Sequence, residues 1–184
     1  MKGPSKEFVV TLAVIGVVLY VLLAPVFAQP RFGHRRGVIS LLKQQGLGIV
    51  MYAGDFDDRL PLRDTWMDAT FPYGKSEQVY QDPSLSIDGK APPHGKFGFA
   101  FFEPLAGIDM TVVIEPEAVP LVFQSRPVDR NATGGLELLP NPPRSQSAKE
   151  EGTNAVCYLD THVKEHGAEW PSGPTVLRFK EKTD

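Results

Sequence analysis

The longest apolar run in the chain comes first. Residues 8–28 hold 21 consecutive positions without a charged side chain, and 14 of them are Leu, Ile, Val or Phe. Each of these favours the bilayer centre by roughly 0.3–0.6 kcal/mol. At about 1.5 Å per residue, a helix of this length crosses about 30 Å of hydrocarbon. The pattern predicts an N-terminal membrane helix within residues 1–28 and a globular domain over residues 29–184. Gly16 and Pro25 are tolerated in lipid, with a kink expected at Pro25. A rival reading takes Lys2 and Lys6 as the basic start of a signal peptide, with Val26-Phe27-Ala28 before a cleavage site after Ala28. The run exceeds the usual signal core, which favours a retained anchor. Arg31, Arg35 and Arg36 follow it and balance the lysines before it, so charge gives no orientation.

Beyond the run the period changes. Over residues 38–53, Val38, Leu42, Ile49 and Ala53, with Ile39 and Val50 beside them, fall on one stripe at i+3/i+4 spacing. This predicts an amphipathic helix with Leu42 and Ile49 buried against strands. Gly54 and the acidic turn at 55–58 end it, with Pro61 just beyond. A second short helix is predicted at 65–73, and Pro83, Gly89, Pro92, Pro93 and Gly95 mark residues 82–96 as loop.

Strands are predicted at 97–102, 110–114, 119–125, 155–159, 162–165 and 175–179. Asp160-Thr161 is placed as a tight hairpin turn between the fourth and fifth. Phe97, Phe99 and Phe101 alternate as one face of a half-buried strand, which makes them core rather than a ligand cage. Residues 127–153 are polar and rich in Pro and Gly.

Composition adds three limits. Seventeen Gly and seventeen Pro imply much coil between short elements. The one cysteine, Cys157, allows neither an intrachain disulfide nor a cysteine zinc site. Net charge is −3, divided as +5 over residues 1–52 and −8 over the rest. The basic part flanks the apolar run, where it suits anionic headgroups. The acidic remainder argues against nucleic-acid binding.

Several segments taken together resemble a known family. APVFAQ at 24–29, LLKQQGLGIVMYAGDFDDRLP at 41–61, Trp66, Asp82-Pro83-Ser84, and GTNAVCYLDTHVK at 152–164 resemble pseudopilin-like proteins with a prepilin-type N-terminus. These are relatives of the bacterial type II secretion major pseudopilin. The resemblance covers both ends of the chain. It implies an α+β pilin-like fold: one long N-terminal helix, half in the membrane and half amphipathic, packed on a small antiparallel sheet. Three positions depart from the family pattern. Aligned on Pro25, Phe8 stands where the family has its helix glutamate, with Glu7 one residue earlier. Thr161 replaces the glycine of an Asp-Gly turn, and Glu150 stands where a histidine is usual. The first departure bears on processing and on filament assembly, so long homopolymers of this chain alone are not expected.

The candidate chemistry is sparse. Asp55-Phe56-Asp57-Asp58 suggests a calcium loop, but an EF-hand would need Gly and Glu where Leu60 and Trp66 stand, so a solvated helix end is expected. From the resemblance alone, a calcium site would use Asp160 or Glu150. His162 and His166 on one strand would lie about 13 Å apart, too far to share a metal. Cys157 and His162 could be drawn as a nucleophile pair, yet nothing supplies an orienting third group. Asn131-Ala132-Thr133 is a formal glycosylation triplet. No GxSxG, phosphate loop, GxGxxG or HExxH occurs.

The expectation is therefore a membrane-anchored assembly protein of a type II secretion or type IV pilus-like system. It would be a single-pass protein of the bacterial inner membrane with its domain outside the cytoplasm, or secreted if cleaved at Ala28. No enzyme activity, catalytic residue, cofactor or metal is expected. Its partners would be other pilin-like subunits or secretion machinery, and the lipid bilayer. The alternative is an anchored or secreted binding module on a pilin-like fold that does not polymerise.

Overall fold

A computed structural model of the chain describes residues 11, 13–21, 34–86, 97–143, 152–167 and 177–180. The chain separates into two compact units, Met1–Phe32 and Gly33–Asp184. In the first unit the described residues, 11 and 13–21, are helical (α1), and Val14, Ile15, Val17 and Tyr20 on it are exposed.

This corrects the anchor and inner-membrane expectations. Among the described residues no helix is long and apolar enough to cross a membrane. The rest of the predicted span, including Phe8, Pro25 and Ala28, lies outside the described residues.

The second unit is α+β. Its elements are α2 (His34–Asp55), α3 (Trp66–Gly74), β1 (Phe97–Phe102), β2 (Pro120–Val128), β3 (Thr133–Gly134), β4 (Asn154–Tyr158) and β5 (Val163–His166), joined by several short 3-10 turns. Two further features of the pilin-like expectation are corrected here. Helix α2 has 22 residues and belongs to the second unit, so no single long N-terminal helix joins it to the apolar run among the described residues. The sheet is mixed, in the order β3-β1-β2-β4-β5. The pairs β1/β2, β2/β4 and β4/β5 are antiparallel, but β3 runs parallel to β1. The cause is a reversal after β2, where Asn131 adopts φ 59° and the chain turns back onto the outer edge of β1. There the Phe101 N–H donates to the Ala132 carbonyl at 3.0 Å.

Phe101, Val122, Cys157 and Val163 are successive cross-strand partners and so share one face of the sheet. Trp66 stacks on Phe101 from that side, with ring centroids 5.9 Å apart. Gly46 of α2 lies over Cys157, where an added Cβ would stand 2.6 Å from the sulfur. The apolar stripe of α2 meets this face, and Val38, Leu42, Ile49 and Ala53 are all buried. Strand β1 is buried at every position rather than on alternate ones. Both its faces are covered, so the half-buried expectation gives way to a central strand.

Two predicted strands are not found among the described residues. Met110–Val112 is a 3-10 turn whose N-cap, Asp109, accepts from the Thr111 N–H at 2.9 Å through its side chain. Of residues 175–179, only a bridge between Val113 and Phe179 forms among the described positions. Local side-chain bonding at Asp109 competes with the extended conformation that the β-branched residues favour.

Candidate functional site

Helix α2 has two unlike faces. Its inner side is fixed on the sheet by the Gly46 contact. Its outer side carries Lys43, Leu47, Met51 and Asp55 in a row at intervals of four, all exposed. Leu47 is 54% and Met51 57% accessible, on a helix whose other face is fully packed. Isolated exposed leucines are ordinary. Two apolar side chains one turn apart, bracketed by opposite charges on a rigid element, form a patch with a shape.

The row ends at the C-terminus of α2. The Asp58 N–H donates to the Ala53 carbonyl at 2.8 Å, and Asp57 and Asp58 both take the left-handed conformation, at φ 52° and 59°. These aspartates supply the chain reversal expected of Gly54, which remains inside the helix. Tyr73 donates to Asp55 Oδ2 at 2.7 Å, and this bond raises the tyrosine pKa above its ordinary value. Tyr52 and Phe56 stack at 4.3 Å. Together with Arg59, Leu62 and Gly107 they line a groove of about 370 Å³. Asp55, Asp57 and Asp58 are not gathered around a common point: among the described residues no group of three His, Cys, Asp or Glu could hold a metal ion. Of the two residues suggested by resemblance for a calcium site, Glu150 lies outside the described residues.

The hairpin also differs from its expectation. Its loop is three residues, Leu159-Asp160-Thr161. The Thr161 N–H donates to the Tyr158 carbonyl at 2.8 Å and the Tyr158 N–H to the His162 carbonyl at 2.9 Å. Thr161 occupies the left-handed position at φ 71°, where this turn favours glycine. His162 lies just past the loop, opposite Tyr158, one residue before β5 begins. Its ring stacks on Tyr158 at 4.4 Å with the planes 1° apart, and its Nδ1 lies 2.6 Å from Asp160 Oδ1. The Tyr158 hydroxyl in turn lies 2.9 Å from His166 Nε2. The two histidines are thus tied to one tyrosine. Sequence spacing alone missed this arrangement, because the tyrosine belongs to the neighbouring strand.

Cys157 is not a nucleophile in this setting. Burial, with a smaller contribution from Asp160, pushes its thiol up to about 12, and its sulfur bonds weakly to the Tyr158 carbonyl at 3.6 Å. It is not paired with His162, whose ring is committed to Tyr158 and Asp160. Asn131 is engaged as well: its Oδ1 accepts from the Met67 N–H at 2.8 Å, and its Nδ2 donates to Asp68. This conflicts with its use as a glycan acceptor. Arg130 bridges Asp68 and Glu77 beside it and lies 5.7 Å over the Phe97 ring. The Asn131 and Arg130 bonds hold the Asp68 carboxyl below the usual range.

A buried polar set stands apart from these. Gln124 Nε2 donates to Asp82 Oδ2 at 2.8 Å and to Ser84 Oγ at 3.1 Å, tying β2 to the segment after α3. Gly98 allows Asp82 to approach, since a Cβ there would lie 2.4 Å from the aspartate's own Cβ. Asn154 Nδ2 donates to the Pro140 carbonyl at 3.0 Å, while its buried Oδ1 has no partner among the described residues and lies beside a cavity of about 210 Å³.

No family model, curated protein or solved structure matches this chain.

Proposed function

We propose that this chain is a structural assembly protein, a pseudopilin-like subunit or paralogue that acts through protein–protein packing in a type II secretion or type IV pilus-like system. The observation that carries this reading is the outer face of α2, a rigid helix with Leu47 and Met51 exposed between Lys43 and Asp55. An exposed apolar patch rimmed by charge suits association better than turnover of a substrate. The contact between the two resembling segments also supports it, since Gly46 of the first lies over Cys157 of the second. Deleting the gene in its native host tests the reading, with secreted proteins and surface filaments as readouts. Loss of one of them is expected, restored by the wild-type chain and not by Leu47→Asp/Met51→Asp. Unchanged secretion and filaments in the deletion strain would sink it.

The groove at the end of α2 favours a second reading, a binding module that does not polymerise. Stacked Tyr52 and Phe56 beside Arg59 offer an aromatic wall and a cation to a small or peptidic ligand.

A further inference from the structure

We infer that the outer face of α2 pairs with the same face of a second copy of this chain, in antiparallel orientation. The inference deepens the assembly reading, on which it rests, by naming the partner. Lys43, Leu47, Met51 and Asp55 stand at intervals of four along one exposed side of a 22-residue helix. Successive members are about 6 Å apart along the axis, so the row is about 18 Å long and has its midpoint at position 49. Read along the chain, its chemistry is basic, apolar, apolar, acidic.

A two-fold axis through that midpoint, perpendicular to the helix, carries Leu47 onto Met51 of the second copy and Met51 onto Leu47. The same rotation sets Lys43 opposite Asp55 and Asp55 opposite Lys43. The apolar pair is thereby covered at the centre and both ends meet an opposite charge, the arrangement required of a self-complementary surface. A parallel pairing in register would place lysine on lysine and aspartate on aspartate, which is repulsive at both ends. The flanking exposed positions Ser40, Gln44 and Gly54 carry short or neutral side chains and permit close approach. Asp55 keeps its bond from Tyr73, and a carboxylate has acceptor sites to spare. The contact is smaller than the roughly 800 Å² per partner of a standard interface, so the dimer is reversible. It is also closed: once two copies have met, the face is used up and no filament follows.

Charge exchange on the full-length chain, followed by sedimentation velocity, tests this. Lys43→Asp places aspartate against aspartate, and Asp55→Lys places lysine against lysine. Each variant alone should dimerise at least about tenfold more weakly than the wild type. Mixed one to one, the two should restore the wild-type dimer, because both contacts in the hetero-pair are again of opposite sign. Restoration on mixing cannot come from misfolded variants. A cysteine at Leu47 should likewise cross-link to a cysteine at Met51 in a second protein, faster than either cross-links to itself. Three results overturn the proposal: a wild-type chain that stays monomeric up to about 1 mM, variants that fail to rescue each other, and cross-linking that prefers like positions. Failure here with a deletion phenotype intact removes the dimer and leaves the assembly reading standing. A dimer without any phenotype does the reverse.

Discussion

Gly46 and Cys157 share a space that fits one of them with a side chain and not both. A Cβ at Gly46 would lie 2.6 Å from Cys157 Sγ, and the sulfur is fully buried. Alanine at position 46 gains about 1 kcal/mol of helix propensity but forces an overlap that costs about 1–3 kcal/mol. Gly46→Ala alone should lower stability, and Gly46→Ala in a Cys157→Ala background should not. Urea denaturation of the four proteins in the cycle reads the coupling directly. Additive effects would mean that the helix does not sit where the structure has it.

Thr161 holds a left-handed backbone conformation that costs a β-branched residue roughly 1–2 kcal/mol. Thr161→Gly relieves it and gives back part of the gain by loosening the unfolded chain. The expected net stabilisation is about 0.5–1 kcal/mol, a rise in Tm of a few degrees for a chain this size. A drop in Tm by scanning calorimetry would show that the threonine side chain contributes more than the conformation costs.

Asn131 acts as the N-terminal cap of α3. Thr65, at the N-cap position itself, makes no side-chain bond to the helix, and Asn131 Oδ1 takes the Met67 N–H instead. Asn131→Ala leaves that donor without a partner and removes one of the bonds to Asp68, which keeps Arg130, for an expected loss of about 1–3 kcal/mol. Asn131→Asp keeps the acceptor but sets a second carboxylate beside Asp68, so it should recover only part of the loss. Thermal melts of the two variants separate the cap from the charge.

His166 links stability to pH. Burial, then the charges of Lys164 and His162, lower its pKa below the ordinary histidine value. As pH falls through about 6.5, the unfolded chain takes up a proton that the folded chain still refuses, and stability drops. The contribution is complete above that value and is lost below it. A neutral Nε2 can accept from the Tyr158 hydroxyl, which a protonated one cannot. Tm measured between pH 7.5 and 5 should fall for the wild type and fall less for His166→Gln. Equal slopes would assign the acid sensitivity to other groups.

Much of the second unit was legible in the pattern of its side chains. The i, i+4 stripe placed Leu42 and Ile49 in the core, and both are completely buried. Alternation located β1, β2 and the β4–β5 hairpin to within a residue or two at most ends. What stayed hidden depends on distant chain. β3 is two residues long and is created by the edge of β1 rather than by its own composition. The anchor expectation followed from hydropathy, whereas among the described residues no helix is long and apolar enough to cross a membrane. Leu47 and Met51 fall off the core stripe, and the sequence pattern assigns them no role. They become a surface only when the helix is seen fixed by its opposite side.

The bond from Met67 to Asn131 joins positions 64 residues apart. At about 5–20 residues per second, the ribosome releases α3 roughly 3–13 s before it releases the residue that caps it. A nine-residue helix is shorter than the ~12–15 residues that hold together unaided in water. Throughout that interval Trp66 has neither its capped helix nor its full cover. The nascent chain presents a large apolar ring to whatever waits at the exit tunnel, and the arrival of Asn131 closes that window.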